Sequence, residues 1–360
     1  MSFNFFEKLF PKKFLGIDIG ISAVKVVEIS KWGGGRTLEN YGLIQTKSLF
    51  KEKFRTFEKT TLLVSPTYVS RAIKAVIREA KIKTKAAIFS IPDFSTFFVT
   101  FELPPMEENE IPKAIRYTAP QYLPLPIGEV TLDWRLIEGR VIASGQKGTK
   151  LKVLVVAIPN DIISQYQMLA KMANLQLYAL ESEVFGLVRS SVKEKEKMVC
   201  LIDLGAHSST VNIVDKGILK KSYSLKFSSN SLTYAISKSL DMEYSMAKNL
   251  KEKYGLLSSK ENIAEVLYPF LDLFLREVRN IFHQISESEE KEVEKIFLVG
   301  GGAKLPGLKA YFSEVLKKEI EISNPFADFL YPPVLGETLK ELGPIFGAAV
   351  GMALEGLEQI

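Results

Sequence analysis

The chain has 360 residues, 46% of them hydrophobic, and 47 basic against 42 acidic residues give it a formal charge of +5. That length exceeds one average domain and can fill large cores, so two lobes or a domain with an insertion is expected. One cysteine, Cys200, and two separated histidines, His207 and His283, argue against a disulfide framework, a zinc site and thiol chemistry, and the dispersed lysines lack the aromatic interleaving of a nucleic-acid surface.

The first residues, Met1 to Lys13, place lysines after apolar residues and show no small-residue cleavage site, so they do not read as a secretory signal. Helical spacing puts Phe3, Phe6, Leu9 and Phe10 on one face ahead of Lys12 and Lys13, a face suited to a membrane, a partner or the chain's own first lobe. Two runs rich in Ile and Val, 14–20 and 23–29, precede Gly33, Gly34 and Gly35 and a third candidate strand, Leu38 to Thr46. A helix over Pro66 to Lys81 carries Val69, Ala72, Ile73, Val76 and Ile77 at helical spacing, and a strand over Ala86 to Ile91 follows. These elements predict a β-meander sheet backed by a helix.

From Pro92 the texture changes. A strand over Thr96 to Leu103, a helix over Glu107 to Ala119, prolines at 120, 124 and 126, and strands over Val130 to Ile137 and Leu151 to Ile158 precede an amphipathic helix, Asn160 to Ala173. The whole of 92–174 reads as an inserted subdomain, with Phe97, Phe98, Phe101 and Trp134 as its core. A second strand-turn-strand, Met198 to Val214, then echoes the first, each with Asp-x-Gly at the turn, which predicts a pseudo-symmetric, two-lobed protein. Helical segments Ser231 to Tyr254 and Ile263 to Glu287 come next, then a strand over Lys295 to Val299 that runs into Gly300, Gly301 and Gly302. A small-residue helix, Gly343 to Gly356, ends the pattern. Its apolar stretch falls short of the roughly 18 to 20 residues of a spanning helix, and a cytoplasmic location is expected.

Three bends could hold a phosphorylated ligand. In the first, Gly16 to Lys25, Asp18 ends a strand and Gly20 and Ser22 lie in the turn, so close backbone N–H donors stand beside a carboxylate able to hold hydrated magnesium. Alone, it reads equally well as an ordinary hairpin. The second, Leu201 to Thr210, repeats Asp203, Gly205 and a hydroxyl-rich turn. The third, Phe297 to Gly307, places three glycines after a strand, which lets a ring or ribose approach the backbone.

As an ordered set these elements resemble the actin, Hsp70 and sugar-kinase superfamily. The segment Glu243 to Gly255 resembles the adenine-side helix of the FtsA group. Within the insertion, Leu103-Pro104-Pro105-Met106, Ile111 to Tyr117, and Gln121 to Pro126 with Leu132-Asp133 resemble the PilM family of type IV pilus assembly. The resemblance implies an α/β, two-lobed actin-like (RNase H-like, duplicated) ATPase fold with an inserted α+β subdomain of SHS2 type. The implied division is an N-terminal amphipathic segment, 1–13; a first lobe from 14–91 and 175–196; the partner-binding insertion, 92–174; a second lobe from 197–225 and 294–342; its helical outer subdomain, 226–293; and a C-terminal helix, 343–360, returning to the first lobe.

The resemblance further implies ATP and magnesium as cofactors. Asp18 and Asp203 would hold the metal through water, and Glu183, with Glu181 as the competing choice, would orient an attacking water. Gly20, Ile21, Ser22 and Lys25 would serve one side of the phosphates, and Gly205, Ser208 and Ser209 the other. Lys248, Lys251 and Glu252 would meet the adenosine beside Gly300, Gly301, Gly302, Ala303 and Lys304. Ala206-His207 stands where actin has an acidic residue and glycine, so binding with at most slow hydrolysis is expected. The implied partner is the N-terminal tail of a PilN-like protein at the cytoplasmic face of the inner membrane. A pilus motor ATPase, other assembly proteins and self-association are further candidates, and no nucleic acid is expected. Two other readings compete. An FtsA-like filament former is expected to continue past Leu354 into a linker and an amphipathic helix, and a small-molecule kinase needs a substrate base for which only Asp203 offers itself.

Overall fold

The computed structural model describes residues 12–32, 34–45, 66–142, 148–193, 197–257 and 262–358. The amphipathic stretch 1–11, Thr46 and the turn residues 144–147 lie outside the described residues.

The meander forms strands β1 (Lys12–Ile19), β2 (Ala23–Trp32) and β3 (Gly35–Gln45), paired antiparallel. From Phe14 to Ile19 β1 is buried on both faces, which explains its unbroken apolar run. Strands β4 (Ala86–Ile91) and β8 (Gln176–Ser182) extend the sheet in parallel, giving the order β3-β2-β1-β4-β8. Helix α1 (Pro66–Glu79) buries Val69, Ala72, Ile73, Val76 and Ile77 on one face of that sheet. Lys81 adopts a left-handed φ of 54°, so the helix ends short of it.

A second sheet repeats the first. Strands β9 (Met198–Leu204), β10 (Ser209–Asp215), β11 (Ile218–Leu225), β12 (Lys295–Val299) and β13 (Glu319–Ile322) take the order β11-β10-β9-β12-β13, again with three antiparallel strands followed by two parallel ones. Register is repeated too, since Asp18 faces Lys25 across the first hairpin and Asp203 faces Thr210 across the second. This is the two-lobed actin-like arrangement that the repeated Asp-x-Gly motifs imply.

Between the lobes in sequence, β5 (Phe97–Leu103), β6 (Val130–Glu138) and β7 (Leu151–Pro159) form a small antiparallel sheet, β5-β7-β6. Helix α2 (Ile111–Thr118) covers one face through Ile111 and Ile115, and Pro112 occupies its first turn, where a missing N–H is harmless. Strand β7 shows the period of two plainly: Val153 and Val155 enter the α2 core, while Leu154 points the other way, against Val199, Leu201 and Phe297 of the second lobe.

Helix α3 (Asn160–Ala173), which the sequence reading places in the insertion, packs elsewhere. Its Ile162, Tyr166, Leu169 and Ala170 join Leu15, Val69 and Phe89 in the first lobe's core. An amphipathic pattern declares that a helix covers a sheet without declaring which one. Strand β8 and helix α4 (Glu183–Ser191) lack turn signals between them and are absent from the sequence reading. The segment expected to be helical from Ser231 to Tyr254 divides into α5 (Ser229–Ser239) and α6 (Tyr244–Tyr254), because Asp241 takes a left-handed φ of 46°. Helices α5, α6, α7 (Ile263–Glu289) and α8 (Leu308–Leu316) share the core on one face of the second sheet.

The last helix, α9 (Gly336–Glu358), begins earlier than its small-residue pattern indicated and runs through Pro344. It lies beneath the first sheet, where Phe346, Ala349, Val350 and Ala353 meet Phe14, Val27, Ile29 and Ile88. Gly16 permits that approach, since a Cβ there would lie 1.8 Å from the Ala349 carbonyl oxygen.

Candidate functional site

The site starts at the turn that closes the β1–β2 hairpin, where the Gly20 N–H donates to the Ala23 carbonyl at 2.8 Å. Asp18 is buried at the strand end, and its carboxylate accepts Lys25 Nζ at 2.5 Å and the Ser90 hydroxyl at 2.9 Å. A buried carboxylate with an ammonium on one oxygen and a hydroxyl on the other is held in one orientation.

The second hairpin is anchored differently. The carbonyls of Gly205 and Ala206 accept the N–H groups of Ser229 and Asn230, each at 3.0 Å, so the bend is tied to the first turn of α5. Lys251 of α6 reaches the same place from below, its Nζ donating to the Ser229 carbonyl at 2.6 Å and the Ser229 hydroxyl at 2.7 Å. Burial pushes the Lys251 ammonium down to about 8, with the positive charge of Lys248 adding to the effect and Glu252 opposing it. Lys248 and Glu252 stand 3.6 Å apart on the same helix.

The third bend turns at Gly300, whose φ of 81° and closeness to Asp203 leave no space for a side chain: a Cβ there would lie 2.2 Å from Asp203 Oδ1. The Gly300 N–H donates to the Pro344 carbonyl of α9 at 2.8 Å, and Lys304 pairs with Glu341 at 3.0 Å.

All three bends open on one cavity of about 1240 Å³ between the lobes. Asp18, Gly20, Ile21, Ser22, Lys25, Glu183, Asp203, Gly205 and Ser208 line it, together with Lys248, Lys251, Glu252, Gly300, Gly301, Gly302 and Lys304. Two of the expected residues do not. Ser209 is buried within β10 with no partner for its hydroxyl among the described residues, because strand alternation turns Ser208 and Thr210 toward the cavity and Ser209 away from it. Ala303 is buried in the second lobe's core. Glu181 is spent elsewhere, in a bidentate pair with Arg189 at 2.7 and 2.8 Å, which leaves Glu183 as the cavity-lining acid of the two.

Asp93 went unnoticed in the sequence. It sits in a short 3-10 turn, Asp93–Ser95, directly after β4, and lines the cavity. Its Oδ1 accepts the Ser182 hydroxyl at 2.6 Å and the Val184 N–H at 3.0 Å, so it caps the start of α4 and braces the residue between them, Glu183. Burial above all, then the charges of Glu183 and Asp203, push the Asp93 carboxyl up to about 8 against the pull of its two hydrogen bonds. The only sequence signal was Pro92-Asp93-x-Ser95 after an apolar strand. Thr210, Asn230 and Glu341 also line the cavity and were not singled out.

The cavity therefore gathers six acidic side chains, Asp18, Asp93, Glu183, Asp203, Glu252 and Glu341, with four lysines, Lys25, Lys248, Lys251 and Lys304. The lysines suit a polyanion, and the acids suit a divalent cation that accompanies it. Among the described residues no group of three or more His, Cys, Asp or Glu is arranged to hold a metal ion. No helix among the described residues is long and apolar enough to cross a membrane.

Comparison with known proteins gives consistent matches. The family model described as Type IV pilus assembly protein PilM matches residues 16–357. The cell division protein FtsA of Streptococcus pneumoniae serotype 2 is 22% identical over 357 residues, covering 87% of this chain and 75% of that protein. Among solved structures, the PilM-PilN type IV pilus biogenesis complex has a chain with a TM-score of 0.81 and 25% identity, covering 95% of this chain and 98% of that one. MreB5 of Spiroplasma citri bound to AMPPNP has a TM-score of 0.52 at 12% identity, covering 97% and 95%, a likeness of fold.

Proposed function

The chain belongs to the type IV pilus assembly protein PilM family, and from that membership we propose that it is an ATP-binding adaptor that captures the cytoplasmic N-terminal tail of a PilN-like inner-membrane protein. The observation that carries the reading is the pair of hairpins in equal register, Asp18 opposite Lys25 and Asp203 opposite Thr210, opening with the Gly300–Gly302 bend on one cavity. The likeness over 95% of the chain to a protein solved in a PilM-PilN complex supports the partner and a place at the cytoplasmic face of the inner membrane.

The residues present fit magnesium ATP. Glycines at 20 and 205 keep side chains out of the two bends, so that phosphate would approach the backbone closely, and a side chain at Gly205 would strike the Ser208 carbonyl at 2.5 Å. Lys25 supplies an ammonium beside Asp18, and Asp18 with Asp203 would hold magnesium through water. Lys248, Lys251, Glu252, Gly301, Gly302 and Lys304 would receive the adenosine. When bound, the metal supplies positive charge to the phosphate oxygens. Glu183, which lines the cavity, would orient a water, and Ala206-His207 in the second bend is consistent with slow turnover. The insertion, 92–174 without α3, is the part of the chain assigned to the partner tail, and association with a motor ATPase or with itself would extend the same role. The FtsA likeness favours a filament-forming alternative less strongly, at 22% identity.

Calorimetric titration tests both halves. Wild-type protein should bind magnesium ATP, Asp18→Ala should lose about 10- to 100-fold in affinity, and the N-terminal peptide of a PilN-like protein encoded beside this chain should bind. An unchanged affinity in Asp18→Ala would sink the nucleotide site, and no peptide binding with or without ATP would sink the adaptor.

A further inference from the structure

At the end of the first sheet opposite the cavity, three large apolar side chains stand in solvent: Trp32 is 72% exposed, Leu330 65% and Val334 86%. The backbone holds them close. Trp32 is the last residue of β2 and pairs with Gly35, and a Cβ on Gly35 would lie 3.5 Å from Leu330 Cδ1. Leu330 is laced to β3, its N–H donating to the Arg36 carbonyl at 2.8 Å and its carbonyl accepting the Leu38 N–H at 3.0 Å. Val334 follows in the short turn Pro333–Leu335. Lys12, the first residue of β1, pairs across the strands with Lys31, and both are exposed. Strand β1 has 8 residues, so this end lies roughly 25 Å from the Asp18 end.

Scattered exposed hydrophobics need no explanation, but an apolar group at a sheet end that also carries two exposed lysines has a definite chemistry. Of the acids near this end, Asp328 is matched by Lys193 at 3.0 Å and Glu358 by Arg36 at 3.5 Å, while Glu337 in the first turn of α9 is exposed. Sequence adds a second, independent sign. The eleven residues ahead of β1 carry Phe3, Phe5, Phe6, Leu9 and Phe10 with Lys8, and they lead into Lys12 and Lys13 beside the strand that ends in Trp32. Protein interfaces are depleted in lysine, whereas an indole and apolar side chains beside ammonium groups match the headgroup region of a bilayer.

We propose that this end of the first lobe rests on an anionic lipid surface, with Trp32, Leu330 and Val334 entering the interface and Lys12 and Lys31 meeting lipid phosphates. The inference goes beyond the adaptor reading, since it needs neither nucleotide nor partner tail.

The chain has two tryptophans, so the full chain carrying Trp134→Phe reports on Trp32 alone. It is mixed, without ATP or peptide, with vesicles of phosphatidylcholine or of phosphatidylcholine and phosphatidylglycerol. The expected result is flotation with the phosphatidylglycerol vesicles only, with a blue shift and reduced acrylamide quenching of Trp32. Lys12→Glu with Lys31→Glu should weaken that partition by about tenfold or more, and Leu330→Ser with Val334→Ser should reduce it and diminish the blue shift. These positions are exposed, and circular dichroism should show the variants folded. The proposal is overturned if no vesicle binds, if neutral vesicles bind equally, if the four substitutions leave binding unchanged, or if Trp32 emission is already blue-shifted without lipid and stays so with it.

Discussion

Gly186 of α4 and Gly351 of α9 meet backbone to backbone where the two helices cross: a Cβ on Gly351 would lie 1.9 Å from the Gly186 carbonyl oxygen. Helix α4 carries Glu183 into the cavity, and α9 holds the Gly300 bend through the Pro344 carbonyl, so the crossing fixes how the first lobe's acid stands relative to the second lobe's bend. Gly351→Ala meets backbone and can be relieved only by parting the helices. Its small gain in helix propensity does not offset that, and a loss of about 1 to 3 kcal/mol is expected by urea denaturation. Gly186→Ala meets chiefly Met352 Cε, at 2.4 Å, the free end of a flexible side chain, with the Ala348 carbonyl at 3.1 Å. It should lose clearly less, and equal losses would show that the crossing does not depend on the backbone contact.

Gly300 is constrained twice, by its φ of 81° and by Asp203. Gly300→Ala must take an unfavourable backbone conformation, costing about 1 kcal/mol or more, and must also push the Asp203 carboxylate aside. Both a lower melting temperature and weaker magnesium ATP binding are therefore expected. Gly301→Ala is the control, since the nearest atom to its Cβ is Ile345 Cγ2 at 3.9 Å and its φ is ordinary. If the two variants bind magnesium ATP alike, the Gly300–Asp203 contact does not shape the site.

The bends were legible in the sequence because their chemistry is local, an Asp at a strand end with glycine and hydroxyls in the next few residues. Ser209 was misassigned for want of the strand register: once Asp203 is known to face Thr210, alternation sends Ser209 to the other face. Asp93 was not legible, because its role arises from Ser182 and Val184, about ninety residues further on, brought beside it when β8 pairs with β4. Strand β11 was hidden by Lys220 and Lys221. Lys220 is buried there only because Nζ donates to the Ile137 carbonyl of the insertion at 3.1 Å, a contact that local pattern cannot foresee. Long-range contacts decided Asp93 and Lys220, and hairpin register decided Ser209.

Lys251 links α6 to the start of α5 with a buried ammonium. Its folded value of about 8 lies below the ordinary lysine value near 10.4. Over that interval the unfolded chain binds the proton that the folded chain has released, so stability from this group rises with pH from about 8 to 10.4 and is flat below both values. The difference in unfolding free energy between wild type and Lys251→Met should grow across that window by an amount on the order of 3 kcal/mol, in favour of wild type. Parallel curves from neutral to alkaline pH would mean that the ammonium is not held apart from water as the buried geometry implies.

Asp93 runs the opposite way. Burial and the neighbouring Glu183 and Asp203 charges raise its carboxyl to about 8, far above an ordinary aspartate near 3.9. The folded chain therefore keeps a proton that the unfolded chain gives up, so the stabilising contribution of Asp93 is complete below about pH 4 and is lost as pH climbs through 8. Asp93→Asn keeps an oxygen to accept the Ser182 hydroxyl and the Val184 N–H while removing the titration. Its stability relative to wild type should rise steadily between about pH 4 and 8 and level off above. Asp93→Ala takes away the acceptor as well, and at low pH it should cost about 1 to 2 kcal/mol through the uncapped start of α4. Chemical denaturation across that pH range reads both effects. A constant offset between Asp93→Asn and wild type would show that Asp93 is ionised throughout and that its charge is compensated inside the cavity, against the arrangement of acids described for this site.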